Sequence, residues 1–435
     1  GGSFAFAPPI AGIEPGHFEG EVSLQNIHDS GDVTVSSTLP VSYDMTEPIL
    51  YSVSSTEASL GKYVDISGAG FVGGGEGDTL LLFIGTFTPD RTGIAVDVDL
   101  VLTLEFVDGN NVRYVVSESD SIGMLLDVRS ETGLFQGVVT PTIAWQDQEV
   151  SGDTVPFAFA LQAVKQVVFL DFLPSYTESL RHFGMRAVDQ MLRERIFAVL
   201  QRDFATVNVE MRDERPEDYF LFATVEVGGP DLNGLGLLGY DNTHGKDTGN
   251  ERLYDRIGGV NALTQQDGYP GFGGIFIGSL LGYSADPAGF TASIEPNEDF
   301  DAIFDPFRAE RGGAAVLGAD LADRIPSLTN GSGCPVAGDR RLQIACAVWA
   351  LGNMIGSTVS HEIGHSLGLA DPFGPDFHNQ GDADDRLMDS DRPFEERAEL
   401  RGKGPSVFCV DEYDYLRAIL PTADDYDPNP RPACF

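Results

Sequence analysis

Apolar and polar residues alternate through much of the first third of the chain. The runs Tyr63-Val-Asp-Ile-Ser, Thr79-Leu-Leu-Leu-Phe-Ile, Val96-Asp-Val-Asp-Leu-Val-Leu-Thr-Leu, Val112-Arg-Tyr-Val-Val and Val155-Pro-Phe-Ala-Phe-Ala carry this pattern, with glycine-rich turns between them. A period of two sends alternate side chains to opposite faces of a strand, and short strands at this spacing predict a β-sandwich over residues 46–164. Before it, Glu21-Val-Ser-Leu and Asp32-Val-Thr-Val-Ser-Ser predict short strands in an extended arm over residues 1–45. From Lys165 the pattern changes. Val167-Val-Phe-Leu-Asp-Phe reads as a buried strand, and Leu180, Phe183, Met191, Ile196, Val199 and Leu200 give residues 178–203 a helical period. Strands are expected at Val207-Asn-Val-Glu-Met, Tyr219-Phe-Leu-Phe-Ala-Thr-Val and Gly274-Ile-Phe-Ile-Gly, a long helix from about Arg341 through His365, and a last helix from Glu412 to Leu420. Residues 165–435 therefore predict a second, α+β domain.

The chemistry of the chain is concentrated at the end of the long helix, in Ser360-His-Glu-Ile-Gly-His-Ser-Leu-Gly-Leu-Ala-Asp371. Four residues apart on a helix, His361 and His365 share a face, so both imidazoles reach one metal ion with Glu362 beside them. A catalytic zinc takes three protein ligands and keeps a position for water, so a third ligand comes from beyond the helix. Gly368 lets the chain turn away, because glycine accepts the left-handed conformation common at a helix C-terminus. Asp371 follows as the expected third ligand, with His378 as the alternative. Glu362 is the expected general base, taking a proton from water and returning it to a leaving amine. A bare His-Glu-x-x-His also occurs as an ordinary polar helix face.

This pattern, His-Glu-x-x-His-x-x-Gly-x-x-Asp with Met388 shortly after it in Arg-Leu-Met-Asp-Ser, resembles the metzincin clan of zinc endopeptidases, and the aspartate resembles its snapalysin-like branch. The resemblance implies a peptide or protein substrate, with His361, His365 and Asp371 as ligands, Glu362 as base and Met388 in a methionine turn under the metal. It also implies that Gly274 to Leu280 is an edge strand above the cleft, where an extended peptide adds a strand. Tyr413 and Tyr415 are candidates to assist an oxyanion, with core packing as their ordinary alternative. The opening Glu47-Pro-Ile-Leu-Tyr-Ser-Val, Ala58-Ser-Leu-Gly and Ile66-Ser-Gly-Ala-Gly-Phe resembles the first half of an immunoglobulin-like TIG module. The expectation is a multidomain chain, an all-β immunoglobulin-like sandwich followed by an α+β metzincin-like zinc peptidase domain.

Composition narrows the setting. With 435 residues and 42 % hydrophobic content the chain has material for more than one core. No stretch reads as long and apolar enough to span a bilayer. The net charge of -40, from 67 acidic and 27 basic residues, excludes nucleic acid and anionic membranes as expected partners. Cys334, Cys346, Cys409 and Cys434 lie in the last third, and their even number predicts two disulfides made in an oxidising compartment. Three connectivities are open; the local pairing, Cys334 with Cys346 and Cys409 with Cys434, is favoured. Two acidic loops, one with Asp231, Asn233, Asp241 and Asp247 and one with Asp382 and Asp384, invite calcium, although neither follows a defined calcium motif. An extracellular or cell-surface location is expected, the opening Gly-Gly-Ser being compatible with a bacterial lipoprotein's lipidated end. The competing function is a surface assembly or adhesion protein whose arm and sandwich do the work, the arm adding a strand to a neighbour, with an ancillary zinc domain.

Overall fold

Strand alternation becomes layered burial in the first unit, which ends at Val164 and also takes in Asp218–Phe220. The computed structural model describes residues 16–73, 77–145, 148–243, 253–260, 271–287, 289, 292–369, 385–389, 392–423 and 430–434. In Val96–Thr103, Val98, Leu100 and Leu102 are buried while Asp97, Asp99 and Thr103 are exposed. This strand is the edge of one sheet, whose order continues through Asp78–Pro89, Gly133–Trp145, Val155–Leu161 and Glu57–Ala58. A second sheet runs Glu105–Asp108, Asn111–Val115, Tyr63–Ala69, Ile49–Val53. Side chains of the two sheets meet in one core, Tyr114 standing edge-on to Phe159 at 6.4 Å.

The longest strand of this unit, Gly133–Trp145, escapes the sequence pattern. It is paired along its length to Asp78–Pro89 and on its other side to Val155–Leu161 and Gln148–Ser151. Gly133, Gly137 and Pro141 interrupt its apolar period; Gly137 lies opposite Gly85, where added side chains would strike the neighbouring backbone. The N-terminal arm folds back on itself: Gly16–Val22 pairs with Leu39–Met45, and Gln25–Ile27 with Val33–Val35. Ile27 and Leu39 remain 71 % and 65 % exposed.

The second unit begins at Lys165. Its sheet runs Val209–Arg212, Gln166–Phe172, Ala223–Gly228, Phe272–Phe276, Gly239–Tyr240, parallel up to the last pairing; Arg256–Ile257 adds parallel to Ala223–Gly228, and Gly259–Val260 antiparallel to Phe272–Phe276. Two expectations need correction here. Phe272–Phe276 is paired on both sides and continues into a 3₁₀ turn at Ile277–Tyr283, so Gly274 to Leu280 is not an edge strand. The edge is the two-residue strand Gly239–Tyr240, contributed from a loop whose sequence has no strand period. The expected strand at Tyr219 starts only at Ala223, because Tyr219 and Phe220 bond to Ser59 and Gly61 of the first unit.

The helical period of residues 178–203 is divided between helices Pro174–His182 and Asp189–Asp203. Gly184 makes the break at φ 67°, its amide bonded to Arg181 O and its carbonyl accepting from Val316 N. The long helix, Arg340–Ser366, starts at Asp339, whose side chain accepts from Arg341 N and Leu342 N. By length and composition it is apolar enough to cross a membrane, contrary to the sequence reading, but 89 % of its apolar window is buried in the protein. It packs against Asp189–Asp203 at close range: a Cβ at Gly356 would lie 2.7 Å from the fully buried Val199. Gly356→Leu is accordingly expected to cost roughly 3 kcal/mol by forced overpacking, read as a lower melting temperature, while Gly356→Ala costs less. Equal melting of the leucine variant and the parent would show that the helix pair yields.

Candidate functional site

Helix geometry delivers the pair of histidines, and two carbonyls fix how they face each other. Gly368, at φ 104°, turns the chain back so that Leu369 N bonds to Gly364 O and Leu369 O lies 2.6 Å from His365 Nδ1. His361 Nδ1 lies 2.9 Å from Leu387 O, and Leu387 is itself tied to Val407. A carbonyl oxygen only accepts, so both Nδ1 atoms carry hydrogen, and in the neutral tautomer each Nε2 presents a lone pair. Those two Nε2 atoms stand 3.1 Å apart, the rings at 88°. At that distance either one Nε2 carries a proton and donates it to the other, or a cation lies between or beside the two lone pairs. Two nitrogens bound tetrahedrally to zinc at about 2.05 Å are separated by about 3.3 Å. The donor set and its spacing fit a zinc ion, held further by carbonyl contacts of the kind that orient metal-binding histidines.

Met388 lies under the same helix. It is fully buried, and a Cβ on Gly364 would meet its Sδ at 2.7 Å, so the methionine packs directly against the helix backbone one residue before His365. Asp371 and His378, the two candidates for a third ligand, lie outside the described residues. Among the described residues no group of three His, Cys, Asp or Glu is arranged to share a metal.

Glu362 is 6 % exposed and faces the edge strand: a Cβ at Gly239 would come within 2.5 Å of its Oε1. The next residue, Tyr240, has its hydroxyl pKa raised by burial and then by the neighbouring Asp241 and Glu362 carboxylates. These groups open on a cleft of about 740 Å³ whose lining includes Gly239, Tyr240, Tyr283, His361, Glu362, His365, Arg392 and Arg397. Arg392 and Arg397 were not anticipated from sequence. Arg392 is 2 % exposed, its Nε, Nη1 and Nη2 have no hydrogen-bond partner among the described residues, and burial followed by the Arg397 charge pushes its pKa down to about 9, against the opposing Glu396 carboxylate. No local motif distinguishes such an arginine from a surface one.

The other candidates are placed as follows. Tyr413 bonds to Ala205 O and Thr206, and Tyr415 donates to Leu367 O, so both tyrosines tie elements together; Tyr240 and Tyr283 are the tyrosines of the cleft. Asp231 accepts from the backbone amides of Asn233, Leu235 and Leu237, and Asn233 pairs with the backbone of Phe272, so this loop is closed by its own amides. Asp241 is buried on the cleft wall and accepts from Thr243 N. Asp247, Asp382 and Asp384 lie outside the described residues. Both disulfides are local: Cys334–Cys346 near the start of the long helix, and Cys409–Cys434 at the last helix, Val410–Ile419.

In the first turn of the last helix, Glu412 is wholly buried. Its pKa is pushed up to about 8 by burial, opposed by the Cys409 amide and reinforced by Asp389. A folded-state pKa above the unfolded value means that the stability contributed by the neutral acid is fully present below about pH 4.5 and is lost as pH rises through 8. Glu412→Gln is expected to flatten the decline in melting temperature between pH 5 and 8.5. Parallel profiles for variant and parent would contradict this.

No family model matches the chain, and a search of curated proteins finds no relative.

Proposed function

We propose that the second unit is a zinc-dependent endopeptidase of metzincin type, secreted or held at a cell surface, following an immunoglobulin-like β-sandwich. One observation carries this reading: two histidine Nε2 atoms 3.1 Å apart, with both Nδ1 atoms committed to carbonyls, beside a buried glutamate in a cleft. His361 and His365 would hold the ion together with a third ligand, Asp371 or His378. A bound zinc supplies a Lewis acid for a carbonyl and an acidified water. Glu362 receives the water proton at its carboxylate and passes it to the leaving amine. Gly239 and Tyr240, with an edge of only two residues, align the backbone of an extended peptide. The two disulfides support an oxidising compartment.

The test begins with metal content. One zinc per chain is expected, with casein cleavage lost on chelation and restored by zinc. Zinc at a hundred times its Kd should also stabilise the fold by about 2.7 kcal/mol, a readout independent of turnover. A folded chain that neither retains zinc nor melts higher with it would sink the reading. The competing assembly function draws on the exposed apolar residues of the N-terminal hairpin, and it predicts self-association that is indifferent to Glu362.

A further inference from the structure

The orphaned guanidinium in the cleft asks for an anion. Arg308 shows how this fold otherwise treats a buried arginine: it has no solvent exposure and bonds to Ser284, Asp305, Glu310 and the Asp286 carbonyl. Arg392 is as deeply buried and has none of this. An unpartnered buried charge costs several times an ordinary hydrogen bond, so its retention beside the histidine pair calls for a function. The segment that carries it is anchored immediately afterwards, Phe394 standing 5.4 Å from Phe300 and 5.7 Å from Tyr283. Arg397 Nε bonds to the Arg392 carbonyl, which fixes the second arginine of the lining to the same turn. The guanidinium is therefore held away from solvent; the Glu396 and Asp203 carboxylates act on it through space, but among the described residues none hydrogen-bonds to it.

The geometry points to Arg392 as the receptor for a carboxylate of the peptide that occupies the cleft, making it the specificity-determining residue of the proposed endopeptidase. This rests on the peptidase reading for the identity of the ligand as a peptide. A planar guanidinium matches a carboxylate through two parallel N–H···O bonds, and the pairing strengthens in a site from which water is excluded. The chain as a whole is strongly acidic, with a net charge of -40, so a carboxylate approaching elsewhere is repelled and the arginine lining is where it is accepted. The carboxylate comes either from an aspartyl or glutamyl side chain or from the free C-terminus of the peptide.

Equilibrium binding on the full-length Glu362→Gln protein, by fluorescence anisotropy, separates these. Three labelled octapeptides of one sequence serve as probes: central Glu with an amidated end, central Gln with an amidated end, and central Gln with a free carboxylate. One of the two acidic probes is expected to bind at least about tenfold tighter than the neutral one. The probe that does so identifies the source. Arg392→Met should erase that preference while leaving the neutral probe unchanged, and Arg392→Lys should keep part of it. Arg392→Met should also melt at or above the parent temperature, since it removes an unpaired buried charge. Equal binding of all three probes, a preference that survives Arg392→Met, or a lower-melting Arg392→Met would each overturn the assignment. The titrations are repeated in chelator and in zinc, with metal content measured on the same sample. Absence of zinc then refutes the peptidase reading by itself, while the acid-over-neutral ratio still reads Arg392.

Discussion

Replacing Glu362 with glutamine is expected to lower peptide hydrolysis by about 10²- to 10⁴-fold while zinc content stays at one per chain. The substitution keeps the side-chain volume, which matters because Glu362 is 6 % exposed and pressed against Gly239. What it removes is a proton acceptor at the cleft face of the helix. Glutamine can still orient a water but cannot take its proton or return it to the leaving amine. The loss should therefore fall on kcat, with KM for a neutral peptide little changed. Zinc retention is the necessary companion result, since His361 and His365 keep their carbonyl partners at Leu387 and Leu369. Unchanged hydrolysis would remove Glu362 from the chemistry, and loss of zinc would show that the carboxylate serves the metal instead.

Glu399→Gln is expected to destabilise the second unit by about 3 kcal/mol, lowering its melting temperature by roughly 5–10 °C. Glu399 is 7 % exposed and accepts from Arg202 Nη1 at 2.6 Å and Arg195 Nη2 at 3.3 Å. Arg202 also bonds to the fully buried Asp203, which accepts from Ser360, the residue before His361. Arg195 bonds to Asn353 and lies over the Trp349 ring at 3.7 Å. The network joins Asp189–Asp203, the long helix and the chain after Phe394–Arg397. Burial pulls the Arg195 pKa down, whereas for Arg202 the opposing burial is outweighed by Asp203 and Glu399 and the pKa is raised. A neutral amide turns NH groups toward two guanidinium donors and leaves both arginines under-compensated. Equal melting of variant and parent would mean that water already satisfies them.

Local chemistry was legible in the sequence, and its reach ends where local spacing ends. Histidines four positions apart place two imidazoles on one helix face in any fold, so the pairing of His361 with His365 needed no tertiary information. Alternation in Val96–Thr103 marked which side chains would be buried because the strand's own period decides it. Cysteines 12 and 25 residues apart close loops short enough to be joined locally.

The rest was decided by long-range packing. Which strand ends a sheet depends on every other strand, and so the edge fell to Gly239–Tyr240 rather than to the more apolar Phe272–Phe276. The Nδ1 partner of His361 is a carbonyl 26 residues away, and a backbone carbonyl carries no side-chain signature. Arg392 reads in sequence as one more charged residue in a polar turn. Only the packing of Phe394 against Phe300 and Tyr283 draws that turn inward, and burial is what converts an ordinary guanidinium into a binding group. The sequence by itself determined that His361, Glu362 and His365 stand together, because one helix fixes their spacing; the tertiary structure alone decided what they face, because that depends on chain segments brought together from far apart.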